Sequence, residues 1–177
     1  PFSLSQREKD MLKYDLKLEV FNEDNYISEN ARIFVIPLKT NKKEIELDLY
    51  DGFKINFVRV NKIESQFDYS NDKIKIFNNF LVGDTTEIEI NFEGNPQNLG
   101  IGSFWNENKN GKQFLATLNE PVFASTWFPC NDTPNDKALT TISITNDSNL
   151  VSISNGRLVN IANKDSKKTY IWKSSYP

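Results

Sequence analysis

The 177 residues contain no histidine and a single cysteine, Cys130. Those two shortages exclude more than any residue present decides. Without an imidazole there is no Ser-His-Asp or Cys-His catalysis and no zinc site built on histidine. With one thiol, only an all-carboxylate metal site survives on composition. One thiol also cannot close an internal disulfide, so a disulfide scaffold is excluded. The compartment stays open, since large secreted domains often have no disulfides. No apolar run approaches the ~20 residues of a membrane span. The opening PFSLSQREKD lacks a charged-then-apolar leader pattern, so any export signal is expected to be already removed or never to have existed. There is no excess of base: 21 Lys and Arg against 24 Asp and Glu leave a net charge of −3. No basic face is implied, and nucleic acid is a poor partner. Lys far outnumbers Arg, so bidentate phosphate readers are few.

What is present points to a packed β-domain. Apolar residues make up 38% and aromatic residues 12%, the composition of a folding sequence, and the length suits one domain with a sizeable core. Period-two alternation recurs in YDLKLEV (14–20), EIELDLY (44–50), KIKIF (73–77) and EIEINF (87–92). Tyr14, Leu16, Leu18 and Val20 share one face there, as do Ile88, Ile90 and Phe92. That is the pattern of half-buried antiparallel strands. ARIFVIPL (31–38) is more continuously apolar and reads as a more central strand, and ALTTISIT, LVSIS and KTYIWK read as later strands. Asp51-Gly52, Gly83-Asp84, Asn110-Gly111 and Asn155-Gly156 are turn signals between them. No stretch sustains a 3.6-residue period, although SQREKDMLK (5–13) could make one helical turn. The fold class expected is all-β, an antiparallel, saddle-shaped β-sandwich. The chain stops on Pro177 just after a strand-like stretch, which reads as an excised domain of a larger protein.

TLNEPVFASTWFPCNDTPNDKA, Thr117 to Ala138, breaks the alternation. Read from its residues alone it is a corner. Pro121 and Pro129 hold the residues before them extended, and Trp127 and Phe128 can plug a core. Asp132 and Thr133 can form side-chain-to-backbone turns, Cys130 can be a small buried hydrophobe, and Glu120 is a solvated loop acid. The same segment resembles one that marks the N-terminal domain of the aminopeptidase N (gluzincin) family of zinc metallopeptidases. That pattern runs T-Q-x-E/Q, A-R, F-P-C-x-D-x-P, K-A. Thr117, Glu120, Ala124, Phe128-Pro129-Cys130, Asp132, Pro134 and Lys137-Ala138 match it in order and spacing. GIGSFWNENKNGKQF upstream is similar to the family's aromatic-rich hairpin, SISNGRL (152–158) to its S-N-G-x-L turn, YIWKSSYP (170–177) to its exit toward the catalytic domain, and YDLKLEV to its opening strand. Two positions depart: the usual Gln is Leu118, which removes a polar contact to substrate, and the usual Arg is Ser125, which removes a structural charge.

The resemblance implies a division into residues 1–11 as an extension and 12–177 as the N-terminal β-domain. The H-E-x-x-H zinc site lies in a catalytic domain downstream. This chain would then hold no cofactor and no catalytic residue. Zinc is expected in the missing domain, which would be this chain's partner together with a peptide substrate. Glu120 is the residue implied to bind substrate, holding the free α-amine. Cys130 is implied to be structural. Two other classes stay open: an interaction scaffold from a relative that has lost its metal, and a carbohydrate-binding sandwich using Trp105 and Trp127. Asn131-Asp132-Thr133 and Asn146-Asp147-Ser148 fit the glycosylation sequon, a pattern common by chance.

Overall fold

A computed structural model describes residues 7–21, 24–40, 42–100 and 103–176. Among the described residues it is all-β, as the alternation predicts, with a short 3-10 turn at Ala124–Thr126. Thirteen strands run β1 Lys9–Phe21, β2 Tyr26–Pro37, β3 Lys42–Asp48, β4 Phe53–Val60, β5 Ile63–Glu64, β6 Phe67–Ser70, β7 Lys73–Phe80, β8 Thr86–Gly94, β9 Phe104–Lys109, β10 Lys112–Thr117, β11 Leu139–Asp147, β12 Arg157–Lys164 and β13 Lys167–Ser174. Eight form one open sheet in the order β12-β13-β11-β1-β2-β8-β4-β5. β3, β7 and β6 form a second sheet, and β9 and β10 a separate hairpin. Among the described residues no helix is long and apolar enough to cross a membrane.

Alternation becomes packing directly. On β1, Tyr14, Leu16, Leu18 and Val20 are buried, while Asp15, Lys17 and Glu19 stay on the wetter face. Ile27, Ala31, Ile33 and Val35 of β2 and Ile88, Ile90 and Phe92 of β8 extend that buried face across the large sheet. Ile45, Leu47 and Leu49, with Ile74 and Ile76, cover it from the small sheet, and all belong to one hydrophobic cluster. β2 lies between β1 and β8, well inside the sheet. That central place fits its apolar content. Its outer-face residues Phe34 and Ile36 are half-buried.

Two local readings change, and one turn is borne out. Within SQREKDMLK, Lys9 to Lys13 are strand, because Met11 enters the core at 1% exposed. LVSIS is not a strand. Val151 and Ile153 point outward at 72% and 78% exposed, while Ser152 turns in to meet the side-chain amide of Asn146. Asn110-Gly111 is a two-residue hairpin turn with φ 55° and 73°, the mirror-image turn that Asn-Gly favours.

β1 pairs with β11 in parallel, and every other pairing within the sheets is antiparallel. A parallel neighbour needs a long crossover instead of a hairpin. Between β1 and β11 the chain passes through β2 to β10, and its last leg, residues 118–138, is the crossover from the β9–β10 hairpin to β11. At the far end, Gly156 enters β12 at φ +89°, and a Cβ there would meet the backbone oxygen of Lys173 at 2.4 Å. The Asn-Gly turn therefore has to be glycine for β12 to lie against β13.

Candidate functional site

The crossover is held by hydrogen bonds and packing along its length, and Glu120 takes part in none of those described below. Its start is tied to the hairpin, where Leu118 N–H donates to the Ser103 carbonyl at 3.3 Å. Asn119 then forks: its amide nitrogen donates to the Phe123 carbonyl at 2.9 Å, and its amide oxygen accepts from the Trp127 indole at 2.8 Å. That fork closes the 119–123 loop around Glu120. The Glu120–Pro121 peptide is cis. Glu120 itself is exposed, and among the described residues nothing engages its carboxylate.

Phe123 adopts a left-handed backbone, φ 82°, just before the 3-10 turn. One oxygen of Asp132 makes that possible. It accepts from Phe123 N–H at 2.9 Å, Ser125 N–H at 3.4 Å and the Ser125 hydroxyl at 2.7 Å. A carboxylate receiving backbone donors at the start of a turn supplies acceptors the turn cannot supply itself. Ser125, where a structural charge is missing from the family pattern, meets Asp132 with a neutral hydroxyl. The Asp132 amide in turn donates to Asp48 at 3.0 Å, whose other oxygen lies 2.5 Å from the Lys73 ammonium. Asp48 and Cys130 also exchange backbone hydrogen bonds at 2.8 and 3.0 Å. Lys9 is buried nearby, and desolvation pushes its ammonium down to about 8 against the opposing pull of Asp48 and Glu46.

Aromatic packing fixes the other flank. Trp127 and Phe128 lie 4.4 Å apart by ring centroids, and Phe128 meets Tyr14 edge-on at 5.5 Å. Tyr14 accepts the Asn131 N–H at 3.0 Å through its hydroxyl. Trp127 is 8% exposed and Trp105 is half-buried. Neither is the open aromatic platform that a sugar-binding reading needs, because the crossover uses Trp127 as a core plug. The two sequon asparagines are buried as well, at 5% and 6%, each with its amide donating to a neighbour, Asp136 or Ser152. Neither is open to a glycan.

Cys130 is 3% exposed, and burial first, then the charges of Asp132 and Asp48, push its thiol well above the ordinary range. Reaction requires the thiolate. A thiol-reactive chromophore is thus expected to release nothing from the folded protein and one equivalent in denaturant. Stoichiometric labelling in native buffer would overturn the structural reading of Cys130.

The residues present do not fit a zinc ion. The sequence has no histidine, its thiol is sealed, and among the described residues no three His, Cys, Asp or Glu side chains are grouped to hold a metal. The candidate site is therefore one exposed carboxylate on a braced loop, two residues after exposed Leu118. The motif marks the segment. The Asn119 fork and the three bonds to Asp132 carry no sequence signal of their own, because they depend on the Phe123 backbone.

Comparison with known proteins agrees with this architecture. A solved M1 zinc metallopeptidase from Deinococcus radiodurans superposes with a TM-score of 0.86 at 22% identity, over 97% of this chain and 40% of that one. A mutant of the same enzyme bound to a Tyr-Ser-Ala substrate gives 0.85 at 23%, over 99% and 41%. "Probable aminopeptidase 1" of Sulfurisphaera tokodaii is 26% identical over 158 residues, 89% of this chain and 19% of the relative. "Aminopeptidase A" of Gloydius brevicauda is 36% identical over 94 residues, 51% and 10%. The chain thus spans about a fifth or less of these curated relatives. The family model described as the Peptidase M1 N-terminal domain matches residues 11–177. With that match across nearly the whole β-fold, the chain belongs to the Peptidase M1 N-terminal domain family.

Proposed function

We propose that this β-domain forms the substrate-facing domain of a zinc aminopeptidase, and that Glu120 anchors the α-ammonium of a peptide substrate. The observation that supports this most is the contrast around Glu120. Asn119 and Asp132 are committed to holding the loop, while the carboxylate between their contacts is exposed and unengaged. A side chain kept free on a braced loop is available for a ligand.

The chemistry suits an ammonium. A carboxylate accepts two of its donors, and such charge-assisted bonds are stronger than neutral ones, more so once water is excluded from a cleft. Gripping the first residue by its amine also sets which peptide bond reaches the metal, so binding becomes register for removal of one residue. The zinc and its activated water belong to the downstream domain. This chain binds, orients and walls off the cleft.

The test uses the full-length protein and amino-acid amides. Glu120→Ala is expected to raise KM about 10- to 100-fold, the size of one lost hydrogen bond to a charged group. Glu120→Gln keeps an acceptor and falls between. The exposed position predicts an unchanged melting temperature in both. Kinetics identical to wild type would reject the anchor. No chelator-sensitive hydrolysis by the wild-type protein would reject the peptidase and leave an interaction scaffold.

A further inference from the structure

The large sheet has two free edges, and the chain treats them differently. β5 ends one side with two residues, Ile63–Glu64. β12 ends the other with eight residues, each of them exposed, and has β13 as its one sheet neighbour. An open edge presents unpaired N–H and C=O groups, and soluble proteins shorten it, charge it or cover it. β5 is shortened. β12 is long, carries charge at its ends alone, Arg157 and Lys164, and has a single bulge, between Leu158 and Asn160. Between them stand Leu158, Val159 and Ile161 at 37%, 45% and 45% exposed, and Val151 and Ile153 add apolar surface in the approach to β12.

We infer that β12 is covered in the working protein by the polypeptide that follows position 177, which adds backbone pairing to this edge and apolar contacts to Leu158, Val159 and Ile161. The inference rests on the reading of the chain as the first part of a longer peptidase. Two observations select this occupant. Arg157 pairs with Lys173, so any chain running on from β13 emerges beside the first residue of β12, about one strand spacing of 4.8 Å away. A segment tethered that closely reaches the edge at high effective concentration. Charge argues against a second copy. Antiparallel pairing of β12 with itself in full register sets Arg157 opposite Lys164 at both ends, and like charges placed opposite are destabilising. Lys168 and Lys173 stand in the next strand, and Asp147 is already paired with Lys167 at 3.0 Å. The edge therefore suits a segment with apolar side chains in its middle and Asp or Glu toward its ends.

Hydrogen exchange on the full-length protein tests this. β13 can bond only alternate amides of β12. Slow exchange is expected at more than that half, independent of protein concentration, and at least tenfold faster exchange of the extra amides in Val159→Lys/Ile161→Lys. Those two side chains lie outside the core, so β1 amides should stay protected in the variant and report that the fold survives. Wild-type β12 exchanging like β5 would overturn the inference. Extra protection that falls on dilution would also overturn it, by assigning the edge to a second copy. Peptidase activity of the same sample reads the proposed function separately: an active enzyme with a fast-exchanging β12 rejects the docking alone.

Discussion

Asp132→Ala is expected to lower the unfolding free energy by about 3–5 kcal/mol, more than most surface acids contribute, because it strands buried donors. One Asp132 oxygen serves three of them: Phe123 N–H, Ser125 N–H and the Ser125 hydroxyl. Ser125 is 7% exposed, so its two donors are poorly placed to find water in place of the lost acceptor. The left-handed Phe123 adds to the loss, since a non-glycine residue at positive φ costs about 1–2 kcal/mol and needs its surroundings to hold it. Function should fall with stability. The 119–123 loop closes on the Phe123 carbonyl through Asn119, so moving Phe123 moves Glu120, three positions before it. In the full-length protein Asp132→Ala should therefore raise KM toward, and not beyond, the value of Glu120→Ala, since Asp132 acts on substrate only through the placement of Glu120. Asp132→Asn leaves an amide oxygen for the same donors and should recover most of the stability. Urea unfolding of the three proteins decides it. Equal midpoints for wild type and Asp132→Ala would mean that the carboxylate does not hold the turn.

How legible this was in the sequence follows from which faces are wet. β1, β3, β7 and β8 read directly from period-two alternation because one face packs and the other is solvated. β4 hides because a bulge between Ile55 and Phe57 shifts its period. β12 hides for a different reason: with all eight residues exposed, burial imposes no pattern on it. LVSIS misleads in the opposite sense, since its apolar residues alternate but face out. Pairing order is non-local, and nothing in the alternation of β1 or β11 marks them as parallel partners. In the site, F-P-C-x-D-x-P identifies the segment, whereas the work of Asp132 depends on a backbone conformation that no residue type at Phe123 announces.

Glu29 is the other position where a single change should be large, and its sign depends on pH. It lies on β2 between Ile27 and Ala31, on their side of the sheet, in register with Leu18 of β1 and Phe92 of β8. It is 1% exposed, and neither carboxyl oxygen has a hydrogen-bond partner among the described residues. Burial pushes its carboxyl well above the ordinary 4.5, so folding favours the protonated form. The unfolded chain ionises it near that ordinary value. A group raised on folding contributes stability that is fully present below the unfolded pKa and is lost as pH rises toward the folded one. Between about pH 4.5 and the folded pKa, wild type should lose up to about 1.4 kcal/mol per pH unit from this residue. Glu29→Gln removes the titration and keeps the shape. Its stability relative to wild type should be flat below pH 4 and should climb through neutral pH. Glu29→Leu also removes the unpartnered oxygens, so it should be the more stable of the two at every pH, by about 1–3 kcal/mol. Urea midpoints at pH 4, 6 and 8 distinguish these outcomes. A wild-type curve parallel to that of Glu29→Gln would mean the carboxylate finds a partner or water in solution, and the cost assigned to its burial would be withdrawn.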